Sequence, residues 1–216
     1  MKDLKMSHGD SLIISKSKLK PEYRDIFLTA RFFSEKPGFD NMGDWTNWFD
    51  PANANSTIEH TILDFLDEQS FDYSNYQIEY WFQDFVDVGH LGPHCDYNHR
   101  VREFVMDAGE WLHTADRHTI MSPITIGIYL EVSNLKGGDL IIYHHEWFNE
   151  PTPLFLDEHA QKRIAEAPKE NYTPQQDDVI YFEGSRYYHS IEPIEGGIRK
   201  SMMINFWPRD YFIINT

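Results

Sequence analysis

The chain has 216 residues, 41% of them hydrophobic and 15% aromatic, and a formal net charge of −16 from 19 basic and 35 acidic side chains. That length suits one domain with a substantial core, and the acidic field repels phosphate backbones and anionic membranes, so nucleic acid and lipid surfaces are poor partners. The one cysteine excludes an intrachain disulfide, no stretch has the apolar length of a membrane span, and residues 1–15 lack the apolar run of a signal peptide; a soluble, intracellular, cytoplasmic protein is expected.

In chain order, Tyr23, Ile26, Phe27, Ala30 and Phe33 recur at helical spacing behind Pro21, which suits a first helical turn. Residues 38–54, rich in Gly, Asn, Asp and Trp, read as an ordered loop. Its Trp45, Trp48 and Phe49 either line a substrate entrance or anchor the loop to a core, and anchoring is the commoner role of large aromatics. Ser56-Thr57-Ile58-Glu59 has the form of a capping box ahead of a stripe of Ile58, Ile62, Phe65 and Leu66, which predicts a helix over 56–68. His60 on that helix reads as a solvated polar residue. Residues 1–75 are thus expected to be helical support for a core at 76–216, the whole of 1–216 forming a single domain.

Tyr80 to Val86 is aromatic-rich and predicts a strand, and Gly89, Gly92 and Pro93 punctuate the turn after it. In the extended piece that follows, His94 and Asp96 point to one face and Cys95 to the other, where a small buried filler fits better than a reactive thiol. An imidazole and a carboxylate on one rigid strand are two arms of a metal site that needs a third. An insertion near 97–122 follows, then strands at Ile126–Leu130 and Leu140–Tyr143. His144-His145-Glu146 is a rival metal set, but consecutive strand residues face opposite ways. A second insertion near 146–176 carries four prolines, with a short helix expected from Asp157 to Ala167.

The last third supplies an apolar strand at Asp178–Phe182, a turn at Gly184, a strand carrying His189, and a further strand beginning at Arg199. Gly196-Gly197 between the last two fits a hairpin, which would bring Arg199 back beside His189. His94, Asp96 and His189 are a two-histidine, one-carboxylate set. Such a set fills one face of an octahedron and leaves three positions open, which suits non-haem Fe(II) better than tetrahedral zinc. A guanidinium such as that of Arg199 matches a carboxylate with paired donors, as a lysine cannot. Ser201, on the same face, adds a hydroxyl.

His-x-Asp, a long gap, His, and Arg ten residues later resembles the Fe(II)/2-oxoglutarate-dependent dioxygenase superfamily, in particular its prolyl-4-hydroxylase-like branch. Ile126-Gly127-Ile128-Tyr129-Leu130 resembles the strand that offers a tyrosine to the cosubstrate. Gly137-Gly138-Asp139-Leu140 resembles the Gly-Gly-x-Leu hairpin after it. The resemblance covers residues 76–208. It departs at Phe85, where many prolyl hydroxylases have tyrosine. Asn205 stands where the nucleic-acid demethylase branch has a second arginine.

The resemblance implies a mainly β fold with flanking helices, a double-stranded β-helix of the jelly-roll, cupin-like kind. It implies Fe(2+) on His94, Asp96 and His189, with 2-oxoglutarate bound by Arg199, Ser201, Tyr129 and Leu140, O2 as oxidant, and ascorbate as reductant. The expected reaction hydroxylates an unactivated C–H bond, on a prolyl residue of a protein or peptide, or on a free amino acid or small metabolite. Asp96 argues against a halogenase, in which halide takes the carboxylate's place. In this fold an insertion after the first ligand pair sits beside the iron, so residues 97–122 are expected as a substrate lid, with Arg100 and Arg102 its positive points. A non-catalytic metal-binding jelly-roll module is the reading of a different class.

Overall fold

The computed structural model describes residues 11–31, 46–96, 122–149 and 156–209. Its strands are β1 (Ile13–Lys18), β2 (Asn47–Phe49), β3 (Tyr76–Val86), β4 (Gly89–His94), β5 (Thr125–Gly137), β6 (Leu140–Glu146), β7 (Lys169–Tyr172), β8 (Asp178–Phe182) and β9 (Tyr187–Pro208). Its helices are α1 (Pro21–Arg31), α2 (Thr57–Glu68) and α3 (Glu158–Glu166).

Strand β9, 22 residues long, joins two antiparallel sheets. Its first part lies between β4 and β6, with β7 beyond β6. Its second part lies between β3 and β5 in the order β1-β8-β5-β9-β3-β2. Two antiparallel sheets sharing one long strand make the expected double-stranded β-helix.

The Gly-Gly pair does not turn a hairpin. β5 pairs across it, with Ser133 opposite Ile198, Lys136 opposite Gly196 and Gly137 opposite Ile194. Gly197 has φ +89°, and a Cβ there would sit 2.4 Å from the Asn134 carbonyl oxygen. The glycine thus lets β9 kink against β5, and the Asp87 amide donates to the Gly197 carbonyl at 2.7 Å. Arg199 therefore follows His189 on the same strand, past the kink, rather than on a separate hairpin arm.

The second half of β9 is buried on both faces, so Ser201 to Trp207 reads as an unbroken run rather than an alternation. Met202, Ile204 and Phe206 face outward with Ile126, Ile128 and Leu130 of β5 onto Phe27, Ile62, Phe65 and Leu66 of α1 and α2. Met203 faces inward with Tyr129, Leu140, Ile142, Ile180 and Phe182. The capping box at α2 is present: the Glu59 amide donates to Ser56 Oγ at 3.3 Å, and Glu59 Oε2 accepts from the Ser56 amide at 3.2 Å. Such a cap contributes about 1 kcal/mol. Asp157 caps α3 in the same way, accepting from the Ala160 amide.

The N-terminal third supplies more than helices. β1 pairs with β8 at one edge of the larger sheet, and β2 pairs with β3 at the other. Trp48 of β2 stacks on Trp207 at 6.0 Å and Phe49 is buried edge-on against Tyr80, so both anchor the segment. Trp45 lies outside the described residues, as do 97–121 of the expected lid, Arg100 and Arg102 among them.

Candidate metal and cosubstrate site

His94 ends β4 and is the register partner of His189 on β9. Asp96 follows two residues later, its amide donating to the Gly184 carbonyl at 3.0 Å. Asp96 Oδ1 lies 3.9 Å from His94 Nε2 and 3.7 Å from His189 Nε2. One atom from each residue falls within 4.8 Å of the others, and no other such cluster of three metal-ligating side chains occurs among the described residues. One cation with bonds of about 2 Å can touch all three.

The imidazoles are prepared alike. His94 Nδ1 sits 2.8 Å from the Gly92 carbonyl, and His189 Nδ1 sits 3.2 Å from the Tyr187 carbonyl, each two residues back. A carbonyl only accepts, so Nδ1 carries the proton and Nε2 keeps its lone pair for the shared space. Burial, then the neighbouring His94, pushes the His189 pKa down to about 4 despite Asp96. The ring is neutral at ordinary pH, as a ligand must be.

The acidic partner is held from behind. Thr125 Oγ1 lies 3.1 Å from Asp96 Oδ2 and 2.7 Å from Asn205 Oδ1. A Cβ at Gly184 would lie 2.4 Å from Thr125 Oγ1 and 2.7 Å from Asp96 Oδ2, so only glycine lets this turn close on the carboxylate. Cys95 is buried away from the cluster, and burial raises its thiol well above the ordinary range.

Arg199, past the kink on β9, is only 1% exposed. Its partners among the described residues include the Ser201 hydroxyl at 3.2 Å, the Tyr129 hydroxyl, and the faces of Tyr129 at 5.1 Å and Phe85 at 5.8 Å. None is anionic, and Nε has no hydrogen-bond partner among the described residues. A buried cation in that state calls for an anion. Burial raises the Tyr129 phenol although Arg199 pulls it down, so the phenol keeps a proton to donate. Phe85, directly opposite Arg199 in register, offers only an apolar wall, and Leu140 likewise adds only apolar surface to the Tyr129 cluster. Lys200 faces the other way, paired with Glu131. The residues thus suit a divalent metal beside a carboxylate-bearing ligand.

The rival set does not assemble. His144 is exposed, His145 packs on Tyr188, and Glu146 pairs with Arg186 at 2.8 Å. Thr125 escaped the sequence reading, Gly184 entered it only as a turn, and Asn205 only as a missing arginine. Their roles depend on strand register, which leaves no local sequence mark.

Fold and site together define a jelly-roll Fe(II)/2-oxoglutarate oxygenase. The family described as "Carrier-protein-independent halogenase WelO5" matches residues 87–207, more than half of the chain, and the chain belongs to that family. No curated protein matches it. Among solved structures it is similar to a prolyl-4-hydroxylase from Pseudomonas putida, at 14% identity and TM-score 0.50 over 90% of this chain and 84% of that one. It is also similar to the viral collagen prolyl hydroxylase of Paramecium Bursaria Chlorella virus-1, at 13% identity and TM-score 0.50 over 90% and 88%. The 2-oxoglutarate complex of that viral enzyme matches at 13% identity and TM-score 0.50, over 90% of this chain and 94% of that one. At these identities the likeness shows the fold. The chain is an enzyme of the 2-oxoglutarate-dependent dioxygenase class, and its cofactors are Fe(II) and 2-oxoglutarate. No helix among the described residues is long and apolar enough to cross a membrane.

Proposed function

We propose that this enzyme hydroxylates an unactivated C–H bond, with His94, Asp96 and His189 as the iron ligands and Arg199, Ser201 and Tyr129 as the grip on the far carboxylate of 2-oxoglutarate. The observation that carries the reading is the Asp96 carboxylate facing both Nε2 atoms. Bound Fe(II), with 2-oxoglutarate and O2, supplies the oxidant that removes a hydrogen from such a bond. The chain's own residues prepare that chemistry. The two Nδ1–H groups donate to backbone carbonyls and aim the imidazoles. Arg199, buried from solvent, gives the cosubstrate carboxylate a charged partner, while Ser201 and Tyr129 supply hydroxyls beside it. Leu140 adds apolar surface beside Tyr129.

Halogenation is the second reading, favoured by the family to which the chain belongs. A halide needs the coordination position that Asp96 fills. The substrate is a prolyl residue of a protein or peptide, as in the named neighbours, or a free amino acid or small metabolite. The family's carrier-protein-independent description supports a substrate that is not carrier-tethered.

The test needs no substrate. The visible band of the anaerobic Fe(II)–2-oxoglutarate complex should be unmoved by chloride or bromide in the wild type. A halide-dependent shift in the wild type would turn the reading to halogenation.

A further inference from the structure

The hydrogen bonds behind Asp96 contain a conflict that fixes their direction. Thr125 Oγ1 has one proton and two apparent acceptors, Asp96 Oδ2 at 3.1 Å and Asn205 Oδ1 at 2.7 Å. A carboxylate cannot donate, whereas an amide can be turned end for end without changing shape. Turned, Asn205 Nδ2 donates to Thr125 Oγ1, and Thr125 donates to Asp96 Oδ2. In the other orientation Thr125 gives its proton to Asn205 and no longer serves the carboxylate.

We infer that Asn205 and Thr125 form a relay that holds Asp96 as a one-oxygen metal ligand, with Oδ2 occupied and Oδ1 turned to His94 and His189. The inference rests on the metal site proposed above. Thr125, Asn205 and Asp96 are 0%, 1% and 8% exposed, so water has little access to replace the bond. The relay is built by register: Thr125 is the β5 partner of Asn205 on β9. The turn at Gly184 comes so close to both oxygens that no Cβ fits there. An Oδ2 left free could swing onto the metal, making the carboxylate a two-oxygen ligand and closing one of three open positions. Thr125 and Asn205 are thus positioning residues, acting on the site through Asp96.

The test is an anaerobic Co(II) titration of the full chain at pH 8, read by visible absorption, with circular dichroism as the check on folding. Thr125→Val keeps the shape and removes the donor. It should bind Co(II) at least about tenfold more weakly, with an altered band shape, while Thr125→Ser restores both. Asn205→Asp offers only acceptors and competes for the Thr125 proton. It too should weaken binding, although added negative charge by itself attracts a cation.

If the wild type binds Co(II) and folded Thr125→Val matches it in affinity and band, the relay is wrong and the metal site stands. If Thr125→Val does not fold, Asn205→Asp decides: binding equal to or tighter than wild type overturns the relay. If the wild type takes up no Co(II), the metal site fails and the relay falls with it.

Discussion

His94 and His189 are register partners across the β4–β9 ladder, their ring centroids 4.2 Å apart. A metal held between them cross-links two strands remote in sequence, and the unfolded chain has no such site. Metal binding should therefore stabilise the fold. At a hundredfold excess over the dissociation constant the gain is about 2.7 kcal/mol. For a chain of this size that is a rise in Tm of about 5–10 °C. Differential scanning calorimetry should show it on adding Fe(II) anaerobically and lose it on chelation. His189→Ala should show none.

Arg199 and its neighbour Lys200 separate the cosubstrate grip from ordinary surface charge. Arg199 is buried without an anionic partner among the described residues, while Lys200 is paired with Glu131 on the other face. Losing one member of a buried, hydrogen-bonded charge pair costs about 2–5 kcal/mol. Arg199→Ala should thus raise the 2-oxoglutarate Kd by about 30-fold or more, and Lys200→Ala by less than about threefold. Equilibrium binding to the anaerobic Fe(II) protein measures both. A larger effect at Lys200 would reassign the grip.

Cys95 sits between two site residues yet points away from them. Burial, then the nearby Asp96 charge, raises its thiol. An aromatic disulfide reagent should react with it at least about a hundredfold more slowly in the native protein than in denaturant. Fast labelling of the native chain would contradict this placement.

Asp178 ties three strands together. Burial by itself would raise its carboxyl, but Lys18 of β1, Tyr172 of β7 and the Gln175 amide override that and hold it below the usual range. Its contribution is present above the pKa of about 4 for a free carboxyl and fades as pH falls through the lower folded value. Asp178→Asn should destabilise the protein by about 1–3 kcal/mol near neutrality. Denaturant titrations should show the gap narrowing below pH of about 4.

What the sequence reveals follows from how local the cause is. Ser56 and Glu59 are neighbours along the chain, and Asp157 caps its own helix, so both helix starts are legible. His94 and Asp96 are legible because a two-residue period puts them on one face. β1 is not, because it is a short edge strand of Ser and Lys beyond Ile13 and Ile14, without a clear apolar alternation. The Gly-Gly pair misleads because it marks a kink in a long strand as readily as a turn; its partner, the Asn134 carbonyl, decides which. Thr125 and Asn205 meet only through the β5–β9 register, which no local pattern records.

The most direct test of the central claim is anaerobic addition of Fe(II) and 2-oxoglutarate to the wild type, His189→Ala and Asp96→Ala, watched for the weak visible charge-transfer band of the chelate. The site described here predicts a band in the wild type and none in either variant at the same concentrations. No band in the wild type, or full bands in folded variants, would contradict it.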